Sequence, residues 1–172
     1  MKRTGSRTTH EGEMVSVRID EFRHEDGETA EREIVAHPGA VAIVAHDEER
    51  FFMVRQPREP VGEDSLLELP AGKLDEEGET PLEAAKRELV EEVGIKAAEW
   101  RELKTLYTSP GFSDEQVYLF VATDLTEVDP QPSEGERIEI VEVPIDDLDQ
   151  TINDCADAKS LVGLLLFRSE LR

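Results

Sequence analysis

Three glutamates near the middle of the chain are spaced so that a helix would gather their carboxylates into one patch. Glu88, Glu91 and Glu92 stand at positions i, i+3 and i+4, which are neighbours on a helix surface. Like charges placed this way repel, and a cation is the simplest partner that makes the cluster favourable. Clustered carboxylate oxygens suit a hard divalent ion such as Mg²⁺ or Mn²⁺. Taken alone, the three residues fit a solvated acidic helix face equally well.

The segment around these glutamates carries the start and stop signals of a helix. Thr80 is a good N-cap, Pro81 occupies the first helical position, and Glu83 completes a capping box. Gly94 supplies the left-handed residue that commonly ends a helix. Apolar residues recur between them at steps of three and four, namely Leu82, Ala85, Leu89 and Val93. The sequence therefore predicts a helix from 81 to 93 with one apolar face.

The composition indicates a globular protein with a strongly acidic surface. The 172 residues are 38% hydrophobic and 35% charged, which suffices for one core. The formal net charge of −22 argues against a nucleic-acid partner, because proteins bind phosphate backbones through basic patches. No apolar run approaches the roughly 20 residues of a membrane helix, and the N-terminus lacks the apolar core of a secretory signal. We expect a cytoplasmic protein that binds neither nucleic acid nor membrane.

The N-terminal third of the chain divides into two segments. Residues 1–13 are polar and have no periodicity, which predicts a flexible N-terminus. Residues 14–38 alternate around the turn formed by Asp26 and Gly27, which predicts an antiparallel β-hairpin apart from the main core.

The remaining residues, 39–172, contain strand patterns on both sides of the helix. We predict strands at 40–45, 51–55, 66–69, 100–106, 116–122 and 137–143, loops at 56–65 and 129–136, and further helices at 145–151 and 157–171. Strands that flank a helix and are followed by more helices indicate a mixed sheet covered on two faces, in the α/β class.

The segment from Gly72 to Ile95 resembles the signature box of the Nudix hydrolases. Gly72, Glu79 and the run Arg87-Glu88-Leu89-x-Glu91-Glu92-x-Gly94-Ile95 match that box, with one residue more than usual between Gly72 and Glu79. We interpret the extra residue as a loop insertion, because changes of loop length cost little. The resemblance implies a Nudix-like α/β/α sandwich with a mixed sheet and favours a metal site for the three glutamates.

Further segments resemble the ADP-ribose pyrophosphatase branch of that family. They are residues 54–56, residues 68–72, the loop 109–115 with the sequence SPGFSDE, and residues 137–139 and 157–161; Pro110 lies sixteen residues beyond Gly94, as in that branch. The resemblance implies Mg²⁺-dependent hydrolysis of ADP-ribose to AMP and ribose 5-phosphate. Alternatives are another nucleoside diphosphate sugar or a dinucleotide polyphosphate as substrate. A non-catalytic nucleotide-sugar sensor is disfavoured, because such modules usually lose the box carboxylates.

The resemblance also implies a set of metal ligands. Glu88 and Glu92 are then the principal ligands of Mg²⁺, or of Mn²⁺, with Glu91 assisting and the carbonyl oxygen of Ala71 completing the shell. Glu79 and Arg87 are expected to pair, and so to brace the loop against the helix.

Other residues are assigned to water activation and substrate binding by the same resemblance. Glu115 matches the loop glutamate that accepts a proton from the attacking water, and a glycine-containing loop would let it move on binding. Glu91 is the alternative base. Arg58 resembles the arginine that contacts phosphate, for which a guanidinium is well suited. Glu68 would contact the ribose or metal-bound waters, and Arg32 would contact the substrate from a partner subunit.

The predicted hairpin points to an assembly. Residues 14–37 bury too little apolar area to be stable alone, because isolated hairpins are marginal. The branch that the sequence resembles forms homodimers by exchanging N-terminal strands, and two-fold dimers are the commonest oligomers. We therefore expect a homodimer in which the hairpin lies over the partner's site; a monomer is the alternative. Phe22 in the hairpin is a candidate for stacking on adenine, although core packing is the commoner role of a single phenylalanine.

Overall fold

The computed structural model describes residues 1–12, 14–129 and 137–171. The strands in these ranges are β1 (Lys2–Glu11), β2 (Ser16–Arg23), β3 (Thr29–Ala36), β4 (Ala40–Ala45), β5 (Arg50–Arg58), β6 (Glu63–Glu68), β7 (Ala71–Lys73), β8 (Ile95–Tyr107), β9 (Gln116–Glu127) and β10 (Glu139–Pro144). The α-helices are α1 (Pro81–Glu88), α2 (Leu148–Asp154) and α3 (Ala158–Glu170). A π-helical turn, Leu89–Val93, follows α1, and two 3₁₀ turns span Glu59–Val61 and Ile145–Asp147. The predicted loop at 129–136 lies outside the described residues except for Asp129.

The chain forms two compact units. The first comprises Met1–Gly39 and Leu106–Gln116, and the second comprises Ala40–Thr105 and Val117–Arg172. No helix within the described ranges has the length and apolar character needed to cross a bilayer.

The first unit is built on an antiparallel sheet with the order β1-β2-β3. The predicted hairpin is confirmed as β2 and β3, and Gly27 adopts the positive φ of 91° that the turn between them requires. The prediction of a flexible segment at 1–13 is wrong, since β1 pairs with β2 from Lys2 to Glu11. Almost all of its ten residues are exposed, so the sequence has no apolar periodicity that would have indicated a strand. Main-chain hydrogen bonds to β2 hold the strand in place.

The second unit contains the predicted mixed sheet, and its strand order is β7-β4-β9-β8. Within it β4 pairs in parallel with β9 and antiparallel with β7. Every residue of β4 is buried, which agrees with its continuous apolar run. A separate antiparallel sheet has the order β10-β5-β6.

Helices cover both faces of the mixed sheet. On one face, Ala85 and Leu89 pack in a core cluster with Val41 and Ile43 of β4. Alternate residues of a strand point to opposite faces, and Val44 accordingly lies next to Gly163 of α3. A Cβ atom at Gly163 would stand 2.6 Å from Leu69 Cδ1, so α3 approaches the sheet closely at this point. The arrangement is the α/β/α sandwich expected from the sequence.

The predicted loop at 56–65 is instead a hairpin. Strand β5 continues to Arg58, the 3₁₀ turn Glu59–Val61 follows, and β6 begins at Glu63. The ladder between β5 and β6 shifts register between Gln56 and Arg58, where Pro57 cannot donate a hydrogen bond. The prolines and the glycine therefore mark a bulge and a tight turn, and the strands on either side are longer than their apolar residues indicate.

Candidate functional site

The helix that carries the acidic cluster starts as the sequence predicts. Glu83 N–H donates to Thr80 Oγ1 at 3.3 Å, and Thr80 N–H donates to Glu83 Oε2 at 2.8 Å, which is a complete capping box. The helix ends at Gly94, whose φ of 69° is left-handed. Between these ends the backbone widens into the π-helical turn Leu89–Val93, which the sequence did not predict. Such turns are rare and often occur at functional sites.

Arg87 gathers the carboxylates of this segment around one guanidinium. Its Nε and Nη2 donate to the two oxygens of Glu79 at 3.1 and 3.0 Å, so the predicted pairing of Glu79 with Arg87 is present. Its Nη1 donates to Glu88 Oε1 at 2.7 Å and to Glu91 Oε2 at 3.1 Å. The hydrogen bonds that Arg87 donates to Glu79 and then to Glu88 raise its pKa. One cation therefore compensates the repulsion between neighbouring glutamates.

The loop before the helix lies against the other two predicted ligands. Ala71 N–H donates to Glu92 Oε2 at 2.9 Å, and Glu92 is only 5% exposed. A Cβ atom built on Gly72 would overlap the Glu88 carboxylate. The glycine is thus required by the close approach of its backbone to Glu88, and the structure brings Ala71, Glu88 and Glu92 together.

The donors at this place suit a divalent cation. As the side chains stand, no three acidic, histidine or cysteine residues converge on one point within the part of the chain that the structure describes. Two of the acidic residues, Glu88 and Glu91, are instead hydrogen-bonded to Arg87 Nη1. Since a single cationic nitrogen contacts both carboxylates, Glu88 and Glu91 are close enough together to suit an oxygen-coordinated ion.

Glu68 and Arg58 form a second charged pair in the same unit. Glu68 is 1% exposed, and it accepts hydrogen bonds from Arg58 Nε at 2.5 Å and Nη2 at 2.9 Å. Lys159 Nζ donates to Glu68 at 2.5 Å and to Asp157 at 2.9 Å. Burial by itself would raise the pKa of Glu68, but the hydrogen bond from Arg58 and the charge of Lys159 lower it. The structure therefore gives Glu68 a role in holding Arg58, and its predicted substrate contact stays a prediction.

The outer part of Arg58 remains accessible. Its side chain is 40% exposed, although Glu68 holds one edge of the guanidinium. The hydrogen bond to Glu68 raises the pKa of Arg58, and the charges of Glu92 and Asp157 add to the effect. Arg58 consequently lies within electrostatic reach of the acidic cluster and keeps its own charge.

Sequence reasoning assigned no role to the residues of α3 that complete this network. Asp157 caps α3 by accepting from Ser160 N–H at 3.0 Å, and Ser160 Oγ accepts from Leu69 N–H at 2.7 Å. The capping pattern at Asp157 is visible in the sequence. Its connection to Glu68 and Lys159 joins residues about ninety positions apart, which only the fold reveals.

The remaining two predicted site residues, Glu115 and Arg32, belong to the first unit. Glu115 Oε2 accepts from Thr108 Oγ1 at 2.6 Å, so its side chain is held within its own loop. Arg32 is exposed and lines a groove of about 390 Å³ together with Phe22, Tyr107 and Phe112. The groove offers three aromatic side chains and one guanidinium to a ligand.

Comparison with known proteins identifies relatives. Residues 35–162 match the model of the NUDIX domain family. The chain is 41% identical over 139 residues to the ADP-ribose pyrophosphatase of Bacillus subtilis, covering 79% of this chain and 74% of that one. It is 39% identical over 158 residues to the methanol dehydrogenase activator of Bacillus methanolicus, covering 89% of this chain and 84% of that one. A crystal structure of an ADP compounds hydrolase superposes with a TM-score of 0.85 at 26% identity, covering 99% of this chain and 95% of that chain.

The contact between Gly72 and Glu88 yields a first prediction. Gly72→Ala should lower the free energy of unfolding by about 1–3 kcal/mol, because the new methyl group must displace a carboxylate that Arg87 holds. Urea denaturation monitored by circular dichroism measures the change. Gly111→Ala is the matched control, since a Cβ atom there meets nothing within 4 Å. Equal stability of the two variants would show that Glu88 moves aside without cost.

Proposed function

We propose that this chain, which belongs to the Nudix family as a member of its ADP-ribose pyrophosphatase branch, hydrolyses the pyrophosphate bond of ADP-ribose to AMP and ribose 5-phosphate. The observation that carries the proposal is the box itself: Arg87 holds Glu79, Glu88 and Glu91. Its relatives act on compounds of this class, as the names of the ADP-ribose pyrophosphatase and the ADP compounds hydrolase state.

Hydrolases of this family generally use divalent metal ions, and we propose Mg²⁺, with Mn²⁺ as the alternative. Glu88 and Glu92 would be the principal ligands, with Glu91 and the carbonyl oxygen of Ala71 completing the set. When bound, the ion supplies charge neutralisation for the pyrophosphate and for the transition state. A cation is needed here in any case, because a chain with a net charge of −22 otherwise repels an anionic substrate.

The chain's own residues would perform the remaining tasks. Arg58, whose guanidinium is fixed by Glu68 and partly exposed, would bind a phosphate oxygen of the substrate. Glu115 would accept the proton of the attacking water, and Glu91 is the alternative base. Arg87 and Glu79 would brace the loop before the helix against the helix.

A homodimer would complete the substrate site. The groove beside Arg32 and Phe22 offers aromatic faces that suit an adenine ring, and Arg32 lines it together with the acidic residues Glu33 and Asp114. We propose that the partner subunit supplies this groove through its N-terminal hairpin. The cytoplasmic location, and the absence of nucleic-acid and membrane partners, stay predictions.

The reaction is tested with a substrate panel. ADP-ribose should show the highest kcat/KM among ADP-sugars, nucleoside triphosphates and dinucleotide polyphosphates, by about tenfold, because a matched polar site rejects analogues that leave its groups unpaired. AMP and ribose 5-phosphate are quantified by chromatography, with a metal-free reaction as the control. A nucleoside triphosphate as the best substrate would refute the assigned reaction, and inactivity toward the whole panel would favour the sensor.

The metal assignment is tested at Glu92. Glu92→Gln should lower kcat by about a hundredfold or more, since a bound ion supplies several kcal/mol of transition-state stabilisation. Little stability should be lost, because the amide oxygen can still accept from Ala71 N–H. Glu99→Gln makes the same chemical change at an exposed position and should leave kcat unchanged. Near-normal turnover of Glu92→Gln at limiting Mg²⁺ would reject the assignment.

The assembly is tested by light scattering. We expect a mass of about twice the chain's 19.3 kDa at micromolar concentration, because the hairpin alone buries little apolar area. Arg32→Met should raise KM for ADP-ribose without changing that mass. A particle of 19.3 kDa would reject the dimer and the shared site.

A further inference from the structure

The loop that carries Glu115 is bound along the edge of β3. Val35 N–H donates to Phe112 O at 2.8 Å, and Asp114 N–H donates to Val35 O at 3.3 Å. Ser113 Oγ also donates to Val35 O at 3.1 Å, and Val35 and Ser113 form a parallel bridge. Residues 112–114 therefore extend the N-terminal sheet by a short segment.

Asp114 fastens this loop by its side chain as well. Its Oδ1 accepts from His37 N–H at 3.0 Å, and its Oδ2 accepts from Arg18 Nη2 at 2.8 Å. Burial would raise the pKa of Asp114, but the hydrogen bonds from Arg18 and His37 lower it. The carboxylate thus joins the loop to both β2 and the residue that follows β3.

Arg18 is itself held by a buried carboxylate. Its Nε donates to Asp20 Oδ2 at 3.2 Å, and Asp20 is 1% exposed. Ser6 Oγ at 2.6 Å and Arg3 Nη1 at 3.3 Å also donate to Asp20. Arg18 and Asp20 are two positions apart on β2, so their side chains lie on one face of the sheet. Because Asp20 fixes the guanidinium, Arg18 does not lose further side-chain freedom when it binds Asp114.

Glu115 follows directly after this anchor. Its N–H donates to Ser113 Oγ at 3.2 Å, and its carboxylate accepts from Thr108 Oγ1 at 2.6 Å. His37 Nδ1 lies 3.6 Å from Glu115 Oε1. The backbone of Glu115 is therefore tied to Ser113, and its carboxylate is held by Thr108 beside His37, whose own N–H donates to Asp114.

We infer that Arg18 and Asp114 are positioning residues for Glu115, through which the N-terminal sheet sets the placement of the carboxylate that activates water. The inference rests on the proposed function and adds to it a role for β2 in placing the base, beyond the proposed contact of Phe22 with the adenine ring. It also gives a reason for the burial of Asp20 in β2, since Asp20 holds Arg18 in the direction of the loop.

The expected effects separate positioning from simple stabilisation. A partly exposed ion pair contributes little to folding stability. A catalytic group that shifts by about 1 Å can lose about a hundredfold in rate. Removing the pair should therefore lower kcat far more than it lowers thermal stability.

The experiment is a double-mutant cycle on the full-length chain with ADP-ribose and Mg²⁺. Arg18→Met and Asp114→Asn should each lower kcat by about tenfold. The double variant should lose no more than either single one, because both changes remove the same contact. Arg18→Lys should be faster than Arg18→Met but slower than the wild type. Lysine keeps the positive charge but lacks the planar guanidinium that bonds two carboxylates at once.

Arg3→Met is the matched control. It removes another arginine from Asp20 but none that contacts the loop, so kcat should stay at the wild-type value. Amide hydrogen exchange gives a readout besides activity. Val35 and Asp114 amides should exchange faster in Arg18→Met and at the wild-type rate in Arg3→Met.

Each failure has a distinct signature. Wild-type kcat in Arg18→Met, or additive losses in the double variant, would overturn the inference and leave the proposed reaction intact. A loss of kcat in Arg3→Met as large as in Arg18→Met would also overturn it, because general weakening of the sheet would then be the cause. Full activity of Glu115→Gln would show that Glu115 is not the base, and the inference would then be overturned. A wild-type enzyme without activity toward ADP-ribose would overturn the proposed function itself.

Discussion

The candidate site depends on one guanidinium that lies among three carboxylates. Arg87 contacts Glu79, Glu88 and Glu91, and without that charge the glutamates of the box would repel one another. The contact with Glu79 joins α1 to the loop that precedes it. The position of the helix and the path of that loop therefore depend on each other. Gly72 can then pass directly over Glu88, and Ala71 can reach Glu92. The carboxylates of the box are thus held close together by hydrogen bonds within the chain itself.

The two units share a way of presenting an arginine. In the first, buried Asp20 holds Arg18, and in the second, buried Glu68 holds Arg58. The pKa of each acid is lowered, for Asp20 chiefly by the hydroxyl of Ser6, and for Glu68 by Arg58 and Lys159 against the effect of burial. A buried carboxylate that stays ionised restrains the inner edge of a guanidinium and leaves its outer edge for another anion. In an acidic protein this arrangement keeps scarce positive charge where it can act.

The features that were predictable from the sequence are those fixed by neighbouring residues. The capping box at Thr80, the stop at Gly94 and the buried run of β4 follow from local propensity, and the structure has all three. The features that were missed depend on distant partners. Strand β1 is polar and is held by main-chain pairing, while Lys159 meets Glu68 only after the sheet and α3 have come together. The π-helical turn could not be foreseen either, because nothing in Leu89–Val93 departs from an α-helical pattern.

The exposed strand β1 has a consequence for how copies of this chain can meet. It lies at the margin of its sheet, where free main-chain groups would invite another strand to pair and start aggregation. Its pairing with β2 is interrupted by bulges between Arg3 and Gly5 and between Thr8 and His10, and it carries the cationic side chains of Lys2, Arg3 and Arg7. Bulges and charges of this kind discourage continuation of a sheet from one molecule into the next. Self-association through this margin is therefore opposed, and a second copy would have to approach the sheet across its face.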